Sequence, residues 1–157
     1  EDGIRDRDVT GVQTCALPIC LGFDRSNSLG GGRADRPDLK PGASQNPVLD
    51  EPTASRWYDP TAFALPALGT YGNLGRNTLV GPGRATVDLS LVKRFAINED
   101  SDVQFRAEFF NILNRVNFGL PQNVPLTNTG AINGSAGRIS DTVTTSRQIQ
   151  FGLKYTF

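Results

Sequence analysis

The chain has 157 residues, of which 38% are hydrophobic and 8% aromatic, enough for one domain. Its 16 basic residues balance its 16 acidic residues, so no strong basic field attracts nucleic acid or an acidic membrane surface. The sequence contains no apolar run near the roughly 20 residues that a membrane helix needs. The composition therefore leaves either a soluble fold or β-strands that alternate apolar and polar residues.

Residues 1–20 are unlike a natural protein start. Nearly all of this segment, EDGIRDRDVTGVQTCALPI, is similar to the translation of a short-read sequencing adapter, with Arg7 and Asp8 in the place of a sample barcode. The segment also lacks the basic start and the unbroken apolar stretch of about 7–15 residues that a secretory signal has. We therefore expect residues 1–20, including Cys15 and Cys20, to be an adapter-derived artefact without ordered structure.

Residues 21–84 show no sustained apolar period and are punctuated by Gly and Pro, which predicts a long loop region of the extracellular type. One short element interrupts this loop. Asp59 puts a capping carboxylate before Pro60 at the first helical position, so the sequence predicts a helical turn near 59–63.

Three aromatic side chains flank this predicted turn, namely Trp57, Tyr58 and Phe63. They can contact an extracellular ligand, or they can anchor the loop by packing inside it. Anchoring is the favoured interpretation, and ligand contact is kept as the functional alternative.

Beyond residue 84, apolar and polar residues alternate with period two, which is typical of β-strands. A tight polar turn at 98–101 joins the first two runs into a hairpin, and a long loop at 112–146 precedes the third. Each run has about 9 to 12 residues, the length that a tilted strand needs to cross a bilayer. The predicted strands span about 86–97, 102–111 and 147–157.

Two features favour a transmembrane barrel over a soluble sandwich. The apolar faces carry aromatic residues near the strand ends and the opposite faces carry charges of both signs, which suit lipid and a wet lumen. The connections also alternate between short and long, like periplasmic turns and extracellular loops. The charges that can face the lumen are Asp88, Arg94, Arg106, Glu108 and Lys154. A structural ladder of paired charges is the favoured interpretation, and contact with a ligand or plug is the alternative.

The last predicted strand ends on an aromatic residue. Its alternating apolar residues Phe151, Leu153, Tyr155 and Phe157 resemble the C-terminal signal that the outer-membrane barrel assembly machinery reads. Lys93 breaks the apolar face of the first strand, and it lies close enough to the turn for its ammonium group to reach the membrane interface.

Five short motifs follow one another along residues 33–157. They are WYDPTAF at 57–63, GNLGRN at 72–77, DLSL at 88–91, FRAEFFNILN at 105–114 and RQIQFGLK at 147–154. Together they resemble the C-terminal region of TonB-dependent, Oar-like outer-membrane receptors. The resemblance implies a large plugged barrel that takes up a ligand with energy delivered by TonB.

The expected fold is therefore all-β: an open antiparallel sheet of three strands with long irregular loops, cut from the C-terminal end of a transmembrane β-barrel. The resemblance places the parent in the outer membrane of a Gram-negative bacterium. Its expected partners are outer-membrane lipid and the barrel assembly machinery, with TonB and the plug domain engaged through missing parts of the parent. The ligand stays unidentified, and no nucleic-acid partner is expected.

No catalytic constellation is visible in the sequence. It has no His, its two Cys lie in the suspect segment, and no Ser or carboxylate pair stands out by spacing. We therefore expect no enzymatic activity, no cofactor and no metal site. Two alternative functions stay open: a soluble or surface-attached β-sandwich binding module, or a passive outer-membrane barrel without TonB coupling.

Overall fold

The structure is a computed structural model that describes residues 9–13, 16–28 and 35–157. In these residues the regular structure is antiparallel β-sheet with a single 3-10 turn and no α-helix. None of the described residues forms a helix long and apolar enough to span a membrane. The elements are β1 Val9–Gln13, β2 Ala16–Leu17, β3 Asp38–Leu39, the 3-10 turn Pro60–Ala62, β4 Phe63–Ala64, β5 Leu79–Val80, β6 Arg84–Ala96, β7 Asp102–Phe110 and β8 Gln148–Thr156.

The chain divides into two compact units. The sheet unit comprises Glu1–Gln13, Arg84–Asn117 and Thr142–Phe157, and the loop unit comprises Thr14–Gly83 and Phe118–Asp141. Each unit is described below by itself.

The sheet unit is a four-stranded antiparallel sheet in the order β1-β6-β7-β8. β6 and β7 form a hairpin in which Leu89 lies opposite Phe109 and Ala96 opposite Asp102. β7 then pairs along its whole length with β8. The three long strands fall within two residues of the predicted bounds, because strict alternation over nine or more residues is a strong strand signal.

The fourth strand differs from the expectation of three strands and of disorder throughout residues 1–20. β1 pairs with the start of β6, with Val9 opposite Asp88 and Gln13 opposite Arg84. The edge of a strand presents unpaired N–H and C=O groups that accept any extended backbone, whatever its side chains, so the side-chain pattern did not predict this pairing.

The loop unit has a hydrophobic core of its own, which differs from the expectation of irregular loops at 21–84 and 112–146. Its small sheets pair β2 with β5 and β3 with β4. The buried residues come from distant parts of the sequence and show no common period, so no window of the sequence reveals them. They are Leu17, Ile19, Leu21, Tyr58, Phe63, Leu74, Leu79, Leu126 and Ala136.

The 3-10 turn Pro60–Ala62 lies within the predicted turn at 59–63. The carboxylate of Asp59 accepts hydrogen bonds from the N–H of Thr61 at 3.0 Å and from its hydroxyl at 2.8 Å. Pro60 occupies the first position of the turn, where its missing N–H costs nothing. The structure therefore confirms that Asp59 caps the turn, as the sequence predicts.

Candidate functional site at the C-terminal sheet

The register of the hairpin and of β8 sorts the side chains onto two faces. Residues directly opposite one another project to the same side of a sheet, and Leu91, Ala107 and Phe151 form one such row. We call this side the apolar face. It is defined by Leu89, Leu91, Lys93, Phe95, Val103, Phe105, Ala107, Phe109, Ile149, Phe151, Leu153 and Tyr155.

Most of the apolar face is open. Phe151 is 66% exposed and Leu153 is 75% exposed, and the rings of Phe105 and Phe151 stack with their centroids 6.1 Å apart. An exposed, contiguous surface of aromatic and branched side chains marks an interaction with a partner or a membrane. The face therefore has the chemistry of a surface that contacts lipid.

The residues predicted to form the assembly signal lie at the end of this surface. Phe151, Leu153 and Tyr155 alternate along β8 on the apolar face, and Phe157 follows the strand and is 92% exposed. The ring of Phe157 stacks on that of Tyr155 with centroids 5.8 Å apart. Recognition of these residues by assembly machinery stays a prediction.

The opposite side of the sheet is polar and is named the polar face. Arg94, Gln104 and Lys154 form one of its rows. Arg94 pairs with Asp102 at 3.3 Å and Arg106 pairs with Glu108 at 3.4 Å. These pairs are partly exposed and contribute at most about 1 kcal/mol each, so they balance charge more than they stabilise the sheet.

The predicted lumen-facing charges fall on this side. Arg94, Arg106, Glu108 and Lys154 lie on the polar face by register. Asp88, two residues before Ser90 of that face, has a local structural partner: its Oδ1 accepts a hydrogen bond of 2.8 Å from the N–H of Asn111. Asp88 therefore ties the start of β6 to the end of β7.

Three asparagines beyond β7 form a device that the sequence reading missed. Asn111 and Asn114 adopt left-handed backbone angles, both with φ of 50°, which asparagine tolerates better than most residues. We name Asn111, Asn114 and Asn117 the asparagine clamp. Asn111 ends the predicted strand 102–111, and the other two lie in the predicted loop 112–146. Their spacing of three residues is the signal that the sequence offers for the clamp.

The clamp joins the strands through side-chain amides. Nδ2 of Asn111 donates to the carbonyl oxygens of Arg115 at 3.0 Å and Thr145 at 3.1 Å. Asn117 is fully buried and both accepts from the N–H and donates to the carbonyl of Ala85, at 2.9 and 3.1 Å. Oδ1 of Asn114 accepts from the N–H of Arg147 at 3.0 Å. The clamp therefore fixes the strand ends opposite the short turn.

The three aromatic residues predicted near the helical turn lie in the loop unit. Tyr58 is fully buried and its hydroxyl donates to the carbonyl of Gln122 at 2.8 Å, and burial raises the pKa of this hydroxyl. Phe63 is 1% exposed and meets the Tyr58 ring edge to face. The half-buried Trp57 donates its indole N–H to the carbonyl of Val80 at 2.9 Å.

These positions correct the ligand-contact interpretation for Tyr58 and Phe63, because a buried ring is out of reach of an external ligand. The anchoring interpretation describes their packing. The physical reason is that a loop region of this length needs large apolar side chains to offset the entropy of ordering its backbone.

Asp35 holds a turn of the loop unit together. Its Oδ2 accepts the N–H groups of Arg25 and Ser26, each at 2.7 Å, and its Oδ1 accepts the Ser26 hydroxyl at 3.2 Å. Desolvation by burial raises the pKa of Asp35, but the hydrogen bonds from Ser26 and Arg25 outweigh it and hold the pKa below its ordinary value.

We expect the loop unit to lose stability in acid through this group. Because the pKa of Asp35 is lower in the folded chain, its contribution is complete above the usual carboxyl pKa of about 3.9 and disappears as the pH falls through the folded value. Thermal unfolding followed by Trp57 fluorescence between pH 3 and 7 measures this loss. In Asp35→Asn the midpoint of thermal unfolding should fall less steeply with pH below pH 4.

Asp59 provides a second test of the same effect. Desolvation raises its pKa, while Thr61 and Arg56 lower it, and the lowering prevails. Asp59→Asn should therefore also reduce the loss of stability at low pH, independently of Asp35. An unchanged acid profile in Asp35→Asn would show that the Asp35 hydrogen bonds do not stabilise the fold.

The described residues contain no cluster of three or more acidic or cysteine side chains that could hold a metal ion. What the site offers is a sheet of three long antiparallel strands with one lipid-compatible face and one charged face. Strands of nine or more residues with this division are typical of the class of transmembrane β-barrels.

Comparison with known families agrees with this class. The chain belongs to the outer membrane beta barrel domain family, whose model matches residues 16–150. The match covers β6, β7 and the start of β8 together with the loop unit from residue 16 onward, so the packed loops are part of the domain. No curated protein and no solved structure matches the chain. The family indicates a location in an outer membrane.

Proposed function

We propose that the chain is the C-terminal part of a TonB-dependent, Oar-like outer-membrane transporter that takes up a ligand still to be identified. The observation that carries the proposal is the division of the β6-β7-β8 sheet into an apolar and a polar face. In a closed barrel the apolar face meets lipid and the polar face lines the lumen, where paired charges of both signs suit water and a plug.

The placement of the resembling motifs supports the finer part of the proposal. WYDPTAF at 57–63 supplies Tyr58 and Phe63 to the core of the loop unit. FRAEFFNILN at 105–114 forms the last six residues of β7 and contains the first two members of the asparagine clamp. The motifs thus carry contacts on which the fold depends, as expected if the resemblance reflects a shared architecture.

The loop unit supports a role in an active transporter over a bare pore. Its described residues, 16–28, 35–83 and 118–141, contribute to a hydrophobic core of their own. Ordered, packed loops of this size give a barrel a defined outer surface, and ordered surfaces recognise ligands better than flexible ones because less entropy is lost on binding. We propose transport without catalysis as the function.

The proposed partners follow from this architecture. Outer-membrane lipid would cover the apolar face, and the assembly machinery would read Phe151, Leu153, Tyr155 and Phe157. TonB and the plug domain would act through other parts of the parent, in the outer membrane of a Gram-negative bacterium.

A long sequencing read across the source locus at the codon for Cys20 tests the proposal. We expect an upstream reading frame that encodes further alternating strands, a plug domain and a TonB box in place of residues 1–19. Further strands without a plug would leave a passive barrel. A frame that begins at Glu1 would contradict both the adapter origin and the transporter, and would favour a small binding module.

A further inference from the structure

Lys93 is the one charged residue of the apolar face as defined above. By register it lies opposite Phe105, which in turn lies opposite Leu153. The side chain is exposed, and none of the three salt bridges formed by the described residues includes it. A lysine at the middle of a lipid-facing barrel surface costs about 2–4 kcal/mol, whereas near the interface the cost is about 0–1 kcal/mol. The position of Lys93 along the strand therefore decides what it can contact.

The strand geometry places Lys93 within reach of one interface. β6 ends at Ala96, three residues beyond Lys93, and a rise of about 3.3 Å per residue puts Lys93 about 10 Å from that end. A strand tilted by about 45° reduces this to about 7 Å along the membrane normal. The lysine side chain spans five bonds of about 1.5 Å, so its ammonium group can reach the edge of the hydrocarbon layer.

The end of the strand also identifies the leaflet. The hairpin connection between β6 and β7 is short, and Asp102 lies opposite Thr156, so the end of β8 lies at the same side of the sheet. Short connections of outer-membrane barrels lie on the periplasmic side. Phe95 and Tyr155 form the row next to the turn, as expected for an aromatic girdle at that interface.

We propose that Lys93 is a binding site for the phosphate group of an anionic phospholipid in the periplasmic leaflet. Among the described residues of its own face the cation has no counter-charge, and a lipid phosphate at the interface supplies both the opposite charge and acceptors for its three N–H donors. The acyl chains of the same lipid cover Phe105 and Leu153. This inference depends on the membrane location of the sheet and is independent of TonB-coupled transport.

The test compares binding of the full chain to two kinds of vesicle at low ionic strength. One is phosphatidylcholine alone, and the other contains a substantial fraction of phosphatidylglycerol. Co-flotation measures the partition of chain into each. We expect the wild-type chain to prefer the anionic vesicles and Lys93→Gln to reduce that preference about fivefold, the effect of one basic residue near such a surface.

Lys154→Gln is the matched control. Lys154 lies on the polar face of β8, the other strand paired with β7, so its substitution changes net charge equally but removes no lipid contact. We expect Lys154→Gln to keep the anionic preference and Lys93→Arg to keep it as well. An equal loss in Lys93→Gln and Lys154→Gln, or no loss in either, would overturn the site.

Two further outcomes distinguish a structural role for Lys93. If Lys93→Gln and Lys93→Arg both lose binding to neutral vesicles, the side chain serves packing and the proposal fails. The carboxylates of the turn, Glu99 and Asp100, are the rival partners. If the double variant Glu99→Gln, Asp100→Asn raises the anionic preference when Lys93 is present and leaves it unchanged in Lys93→Gln, the turn holds the ammonium group and the lipid site is excluded.

Discussion

Replacing Asn111 by alanine is expected to lower the free energy of unfolding of the sheet unit by about 3–5 kcal/mol. The change removes three hydrogen bonds of a buried side chain, two donated by Nδ2 and one accepted by Oδ1, each contributing about 1 kcal/mol. It also puts a residue with a Cβ but no local hydrogen bond at a φ of 50°, which costs about 1–2 kcal/mol. Urea unfolding of the full chain in detergent micelles, followed by circular dichroism, measures the loss.

Two variants separate the causes. Asn111→Gly removes the same hydrogen bonds but tolerates the left-handed backbone, so we expect it to recover about 1 kcal/mol relative to alanine. Asn114→Ala has the same φ but loses a single hydrogen bond at an exposed position, and should cost about half as much. If Asn111→Ala costs no more than Asn114→Ala, the buried hydrogen bonds of Asn111 do not hold the strand ends.

The second large effect concerns the core of the loop unit. Leu74 is 1% exposed and lies in that core, so Leu74→Ala should destabilise the unit by about 2–5 kcal/mol through lost burial and the cavity left behind. Leu68 is 70% exposed in the same unit, and Leu68→Ala should stay within about 0.5 kcal/mol of the parent chain. The two substitutions remove the same atoms and differ only in whether the leucine is buried or exposed.

The fluorescence of Trp57 reports on this experiment. It is the single tryptophan of the chain, and it packs against the core of the loop unit. Its indole N–H donates a hydrogen bond to the backbone carbonyl of Val80. Denaturant titration of the full chain at fixed detergent concentration gives the midpoint for each variant. Equal midpoints for Leu74→Ala and Leu68→Ala would mean that residues 21–83 are the unstructured loop that periodicity alone predicts.

The long strands were predictable because the alternation of apolar and polar residues is a local pattern, visible within each strand. Alternation assigns Leu91, Phe105 and Phe151 to one face within each strand, and any register that kept the apolar faces together had to place them on the same side of the sheet. The two faces, and the side on which Arg94, Arg106, Glu108 and Lys154 lie, follow from that pattern. The family match confirms the barrel interpretation to which the pattern led.

The core of the loop unit and the contacts of the clamp could not be predicted from a local pattern. Leu17, Tyr58 and Leu126 meet in one core although long stretches of chain separate them, and no local pattern encodes their meeting. Asn111 reaches Thr145, 34 residues away, so its structural role depends on a contact that no window of sequence contains. Asparagine after a strand predicts a turn, and here the turn residue is also the tie between two strands.

The division into two units has a consequence for how the chain melts. A single melting temperature describes a protein whose parts unfold together, and we expect the two compact units of this chain to unfold separately. Heat should release the less stable unit first, so calorimetry and circular dichroism, which weight the units differently, will give different midpoints for the same chain. A variant of this protein is therefore characterised by two transitions, each read with a probe that belongs to one unit.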